Sequence, residues 1–156
     1  MEFDRYREAV AANRREHGFD AVDGGGSGFD RLWVTRDRDP TVGSVSLFAT
    51  VVDATDYDTA DLVDVADRFR AVIDRRTDDH EESVTRIGYV VFAVPDPDDA
   101  LVSASTEYTV AERRTNVFPL IYDTEERTLH THPVPRLKGR GIYRRQVDDA
   151  ERLFTG

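Results

Sequence analysis

The chain has 156 residues, 39% of them hydrophobic and none of them Cys. That length suits one domain with a modest core, and the missing thiols exclude disulfides and Cys-based catalysis or metal sites. Formal net charge is -10, from 31 acidic and 21 basic residues; Asp outnumbers Glu 21 to 10, and Lys138 is the single Lys against 20 Arg.

Acid excess, Asp richness and near-absence of Lys are the composition expected of a halophile that keeps molar salt inside the cell. A large negative charge keeps a protein soluble but repels itself. At about 1 M salt the Debye length falls to about 3 Å, which screens that repulsion. No stretch approaches the roughly 18 apolar residues of a membrane span. The first residues, Met1-Glu2-Phe3-Asp4-Arg5, place charges where a signal peptide needs an apolar core, so the expected location is the cytoplasm.

Residues 2 to 17 read as a helix, with Phe3, Tyr6, Val10 and Ala9 at helical spacing and Arg and Glu on the other side. Gly24 to Gly28 reads as a flexible connector. A short strand follows at about 31 to 36, centred on Leu32, Trp33 and Val34, and Asp37 to Pro40 reads as a turn. Residues 44 to 53 form a strand with Val45, Leu47, Ala49 and Val51 on one face and Phe48 and Val52 on the other. Apolar residues on both faces mark an interior strand.

Residues 59 to 76 give a helix with the stripe Leu62, Val65, Ala66, Phe69, Val72 and Ile73, capped by Asp58 or Thr59. Residues 84 to 94 are a second interior strand. Residues 98 to 113 fit either a helix or a strand, and the Pro97-Asp98-Asp99 start favours a helix. Residues 116 to 122 and 127 to 132 form a hairpin, with Pro119 placing its first arm at an edge or bulge. A last helix spans about 142 to 154, with Ile142, Val147, Ala150, Leu153 and Phe154 inward. The order α-β-β-α-β-(α)-β-β-α predicts a single α+β domain over 1–156, a five-stranded largely antiparallel or mixed sheet with helices packed on it.

Two constellations carry chemistry. Residues 136 to 145 hold five cations and no acid: Arg136, Lys138, Arg140, Arg144 and Arg145, with Gly139 and Gly141 just before a helix. Flanking cations and helix-start N–H groups make a candidate anion site for a phosphate-bearing or nucleic-acid ligand. Arg113, Arg114 and Arg127 are further candidates, and Tyr143 is placed to stack on a base. His130 and His132, two apart on a strand, share a face and are candidate metal ligands, with Asp96, Asp123 or Glu107 to complete the set.

The clusters Asp53, Asp56 and Asp58, and Asp96, Asp98 and Asp99, suit two-metal hydrolysis but also ordinary turns and caps. With no complete catalytic set, the expected function is a non-enzymatic binding or assembly domain, self-associating or holding an anion at 136 to 145. The alternative is a metal-dependent, nuclease-like hydrolase built on His130, His132 and strand-end carboxylates.

Overall fold

A computed structural model describes residues 3–22, 29, 32–41, 43–76, 84–108, 110–112, 115–134 and 140–155. Among the described residues there are four helices: α1 (Phe3–Glu16), α2 (Thr59–Arg76), α3 (Asp99–Glu107) and α4 (Arg140–Leu153). The strands are β1 (Asp20–Val22), β2 (Leu32–Asp39), β3 (Gly43–Asp53), β4 (Thr85–Val94), β5 (Val110–Glu112), β6 (Thr115–Asp123) and β7 (Thr128–His130). The five expected strands and four helices therefore occur in the expected α+β order. The three-residue strands β1 and β5 add to them. The Gly24–Gly28 connector lies outside the described residues.

The sheet is mixed and runs β1-β2-β3-β4-β6-β5, with β7 also on β6. Its centre, β3-β4-β6, is parallel, while the outer pairings are antiparallel. A parallel centre needs crossover helices, and α2 and α3 supply them. They pack on one face through Leu62, Phe69, Ile73 and Leu101 against Phe48, Val90, Phe92 and Ile121. Helices α1 and α4 cover the other face, through Tyr6, Val10, Ala150 and Leu153 against Leu47, Tyr89, Val91 and Leu120. This two-sided cover is why the central strands read as apolar on both faces.

Three local readings are corrected. Asp37 to Asp39 belong to β2, not to a turn; the chain reverses at Pro40 and Thr41, and Gly43 takes a left-handed φ of 94° as β3 starts. The ambiguous segment 98 to 113 is two elements, which is why both periodicities fitted it. Asp98 caps α3 by accepting the Leu101 N–H at 2.8 Å, and β5 follows. Pro119 sits inside β6, paired with Val90 on β4, and not at a sheet edge. On its other side it falls in the gap between β5, which pairs with residues 115–117, and β7, which pairs with residues 121–123. A strand residue's N and O point to the same side, so the absent N–H falls in that gap and removes no bond to β4.

At Gly88 the side chains of α2 press directly on the sheet backbone. A Cβ there would stand 2.4 Å from Ile73 Cδ1 and 2.9 Å from Phe69 Cε1, both in fully buried side chains. Gly88→Ala is expected to destabilise the fold by about 1–3 kcal/mol, the usual cost of overpacking a core. Urea unfolding checks this, and an unchanged midpoint would contradict the close packing of α2.

Candidate functional site: a cationic cleft beside α1

The inward side of α4 is more polar than its sequence pattern suggested. Arg145, Gln146 and Asp149 are buried there alongside Ala150 and Leu153. Arg145 donates from Nε to Asp149 Oδ2 at 2.8 Å, from Nη2 to Asp37 Oδ2 at 2.8 Å and from Nη1 to Asp39 Oδ2 at 3.3 Å. Tyr89, on the central strand, donates its hydroxyl to Asp149 Oδ2 at 2.6 Å, and Arg152 donates to Asp149 Oδ1. Burial works against the Arg145 charge, but its bonds to the three carboxylates outweigh burial and hold the guanidinium protonated. The Arg145 hydrogen bond in turn keeps Asp37 below the usual carboxylate range. Burial, then the Asp149 charge, pushes the Tyr89 phenol far up.

Arg145 is therefore engaged inside the fold, although it belongs to the basic segment. Of the remaining candidates there, Arg144 is exposed and Gly141 is half-buried in α4. Arg140 begins that helix. Arg136, Lys138 and Gly139 lie outside the described residues, as do Arg113 and Arg114.

His132 fills the gap opposite Pro119. Its Nε2–H donates to the Pro119 carbonyl at 2.9 Å. The Gln146 carboxamide clamps the His132 peptide, accepting from its N–H at 3.2 Å and donating to its carbonyl at 2.6 Å. The ring packs edge-on to Phe118, centroids 5.3 Å apart. Burial lowers the His132 pKa, only partly offset by the bond to Pro119. His130 is half-buried at the end of β7, opposite Ile121.

Among the described residues no three His, Asp or Glu side chains gather to hold a metal ion. The strand-end and loop carboxylates serve the backbone instead. Asp53 accepts from the N–H and hydroxyl of Thr55, and Asp58 and Asp61 exchange N–H bonds at the start of α2. Asp123 Oδ1 accepts from the N–H groups of Asp96, Glu125 and Glu126. The metal-hydrolase reading thus lacks, among the described residues, the carboxylate set it needs.

A cavity forms elsewhere among the described residues, between α1 and the sheet. It is a cleft of about 580 Å³, lined by Arg7, Glu8, Ala11, Arg14 and Arg15 from α1, by Trp33 from β2 and by Val51 from β3. Seven residues make almost two helical turns, so Arg7 and Arg14 lie on one stripe and Glu8 and Arg15 on the next. Ala11, the small residue between them, opens the groove. Trp33 is buried and fixes the far end: the Arg14 guanidinium lies 4.7 Å and that of Arg15 5.4 Å from its ring centre, cation–π distances that orient both. Arg7 pairs with Asp4 at 3.2 Å.

The opposite shoulder of α1 is anchored. Tyr6 stacks on Tyr122, with centroids 3.8 Å apart, and donates to the Phe154 carbonyl, while Asn13 donates to the Thr155 carbonyl. Tyr122 is next to last in β6, Val51 is near the end of β3, and Trp33 lies beside Ala49 of β3. Helix α1 therefore crosses the carboxyl ends of the parallel strands, the side of open α/β sheets where ligands usually bind.

Sequence reasoning missed this site because it only set the Arg and Glu residues of α1 on the side away from the apolar stripe. The available signal was the Arg7–Ala11–Arg14 spacing on one stripe.

Two outcomes follow. Arg145→Ala leaves buried Asp149 with Arg152 as its remaining cation and takes the guanidinium away from Asp37 and Asp39, and removing one partner of a buried ion pair costs about 3–5 kcal/mol. Urea unfolding should show a loss on that scale; a loss within 0.5 kcal/mol, as for an ordinary surface change, would contradict the cluster's role. For His132 the folded pKa lies below the ordinary 6.5. Its neutral form is therefore favoured in the fold, so stability is complete above pH 6.5 and falls as pH drops through the depressed value. Melting temperature against pH should show this acid-side decline weakened in His132→Gln, and identical profiles would contradict it.

Comparison of the chain with protein-family models, with curated proteins and with solved structures finds no match.

Proposed function

We propose that this chain is a non-enzymatic binding domain acting in the cytoplasm of a salt-rich cell, and that its ligand is anionic. The observation that supports the reading is the α1 cleft: Arg7, Arg14, Arg15 and Glu8 line a cavity in a chain of net charge -10, with Arg7 and Arg15 exposed and Arg14 buried in its wall. Its volume falls in the range of roughly 300–1,000 Å³ common for small-molecule sites. Guanidinium groups match carboxylate and phosphate geometry through paired N–H donors. The orienting contacts on Trp33 mean that less side-chain freedom is lost when a ligand binds.

The reading sets the anion on α1; within the segment 136 to 145, Arg145 is engaged with three carboxylates, while Arg136, Lys138 and Gly139 lie outside the described residues. Molar salt is compatible with such a site. It screens the repulsion between an anion and the acidic surface while leaving direct contacts in a sheltered cleft less affected.

Isothermal titration with inorganic phosphate in about 1 M KCl, where the Debye length is about 3 Å, tests the reading. A hydrogen bond to a charged group contributes about 1.5–3 kcal/mol. Arg15→Ala should therefore weaken binding roughly tenfold or more, and Arg144→Ala should leave it unchanged. Binding that ignores Arg15→Ala but is lost in Arg144→Ala would move the site to the basic segment.

A further inference from the structure

One imidazole closes a gap in the edge of the sheet. On the outer side of β6, β5 pairs with residues 115–117 and β7 with residues 121–123, so among the described residues no strand stands beside 118–120. His132 fills that place: it is 1% exposed, and its Nε2–H donates to the Pro119 carbonyl at 2.9 Å. Among the described residues, hydrogen bonds tie the segment 131–134 to the rest of the fold only at His132, where the ring meets Pro119 and the peptide meets the Gln146 side chain. Nδ1 has no hydrogen-bond partner among them. The titratable groups about the ring are Tyr143 on α4, with ring centres 6.3 Å apart, and His130 at the end of β7. From β6 the ring meets Phe118 and the Pro119 carbonyl, and Arg145, beside Gln146 on α4, is turned to Asp149.

We propose that His132 is an acid-released latch on this edge, independent of the α1 cleft. A proton enters the ring at Nδ1, because Nε2 already carries the hydrogen given to Pro119. The cation so formed is buried against Phe118 and Tyr143, and a buried charge without a counter-charge is costly, so the ring leaves for water. With the ring out, the segment 131–134 keeps only the Gln146 clamp, comes away from β6 and uncovers the edge at Phe118 and Pro119. The rest of the fold stands, because α4 is held separately through Arg145, Ala150 and Leu153. The titration of the ring runs in the same direction. Burial lowers its pKa, the Pro119 bond offsets this only in part, and no neighbouring charge is among the causes. The closed form therefore binds the proton less well than the open form. The open fraction rises up to about tenfold for each pH unit below the ordinary value of about 6.5, until the depressed value is passed.

Amide hydrogen exchange, read by NMR on the full chain from about pH 7.5 to about 5.5, on either side of the ordinary histidine value of about 6.5, tests the latch. Rates are corrected for the intrinsic effect of pH. Protection of the His132 N–H should fall by up to about tenfold per unit below that value, while Val90 and Val91 in the centre of β4 keep theirs. His132→Gln retains a donor for the Pro119 carbonyl but cannot titrate, and it should flatten the response. If that variant does not fold, the wild-type ring decides: its C–H signals should titrate together with the loss of protection. Protection at His132 that follows β4, a loss shared by all amides, a ring that titrates apart from it, or an undiminished loss in His132→Gln would overturn the latch.

Discussion

The fold depends on one guanidinium buried among three carboxylates. Arg145 is 9% exposed and Asp149 1% exposed, so each charge would be costly in the interior without the other. Their pairing fixes α4 to Tyr89 in the centre of the sheet and to Asp37 and Asp39 at the end of β2. Once α4 is seated, the carbonyl groups of Phe154 and Thr155, just past its end, accept from Tyr6 and Asn13, which positions α1 across the ends of the parallel strands. The shoulder of α1 facing away from α4 then overhangs Trp33 and Val51, and that overhang is the cleft. The site is thus a consequence of how the two helices share one sheet face.

The same cluster gives one cation of the most basic stretch of the sequence an internal role. A cation inside a strongly acidic protein stands out in sequence, but the surplus of carboxylates also makes it an internal partner. Arg145 follows that second course. The arginines of α1 instead stand around a cavity, two of them braced on an indole. The parallel centre of the sheet runs in one direction, β3 to β4 to β6, without a reversal of strand order that would open a crevice by itself. The cavity arises from the helix laid over the strand ends.

Much of the architecture was legible because the central strands carry apolar residues on both faces. Val90 and Phe92 against Tyr89 and Val91 leave little choice but helices on either side. The stripe of α2 was equally plain. What escaped notice were contacts between distant residues. β1 and β5 are three residues long and are defined by their neighbours more than by their own composition. Asp37 and Asp39 resembled a turn because Asp favours turns, and it is Arg145, more than 100 residues later, that accounts for them in a strand. Pro119 pointed to an edge, whereas His132 supplies the partner that lets it stand inside the sheet. The two His residues resembled a metal pair, but burial and a backbone carbonyl claim one of them. Of the cleft, only the arginine spacing on α1 was readable in advance.

The most direct measurement is a phosphate titration followed by NMR on labelled protein, reading the indole N–H of Trp33 and the side-chain Nε–H signals of the arginines. The account predicts saturable shifts at Trp33, Arg14 and Arg15, with Arg144 and Arg145 unmoved. Shifts confined to the start of α4, with Trp33 silent, would contradict it.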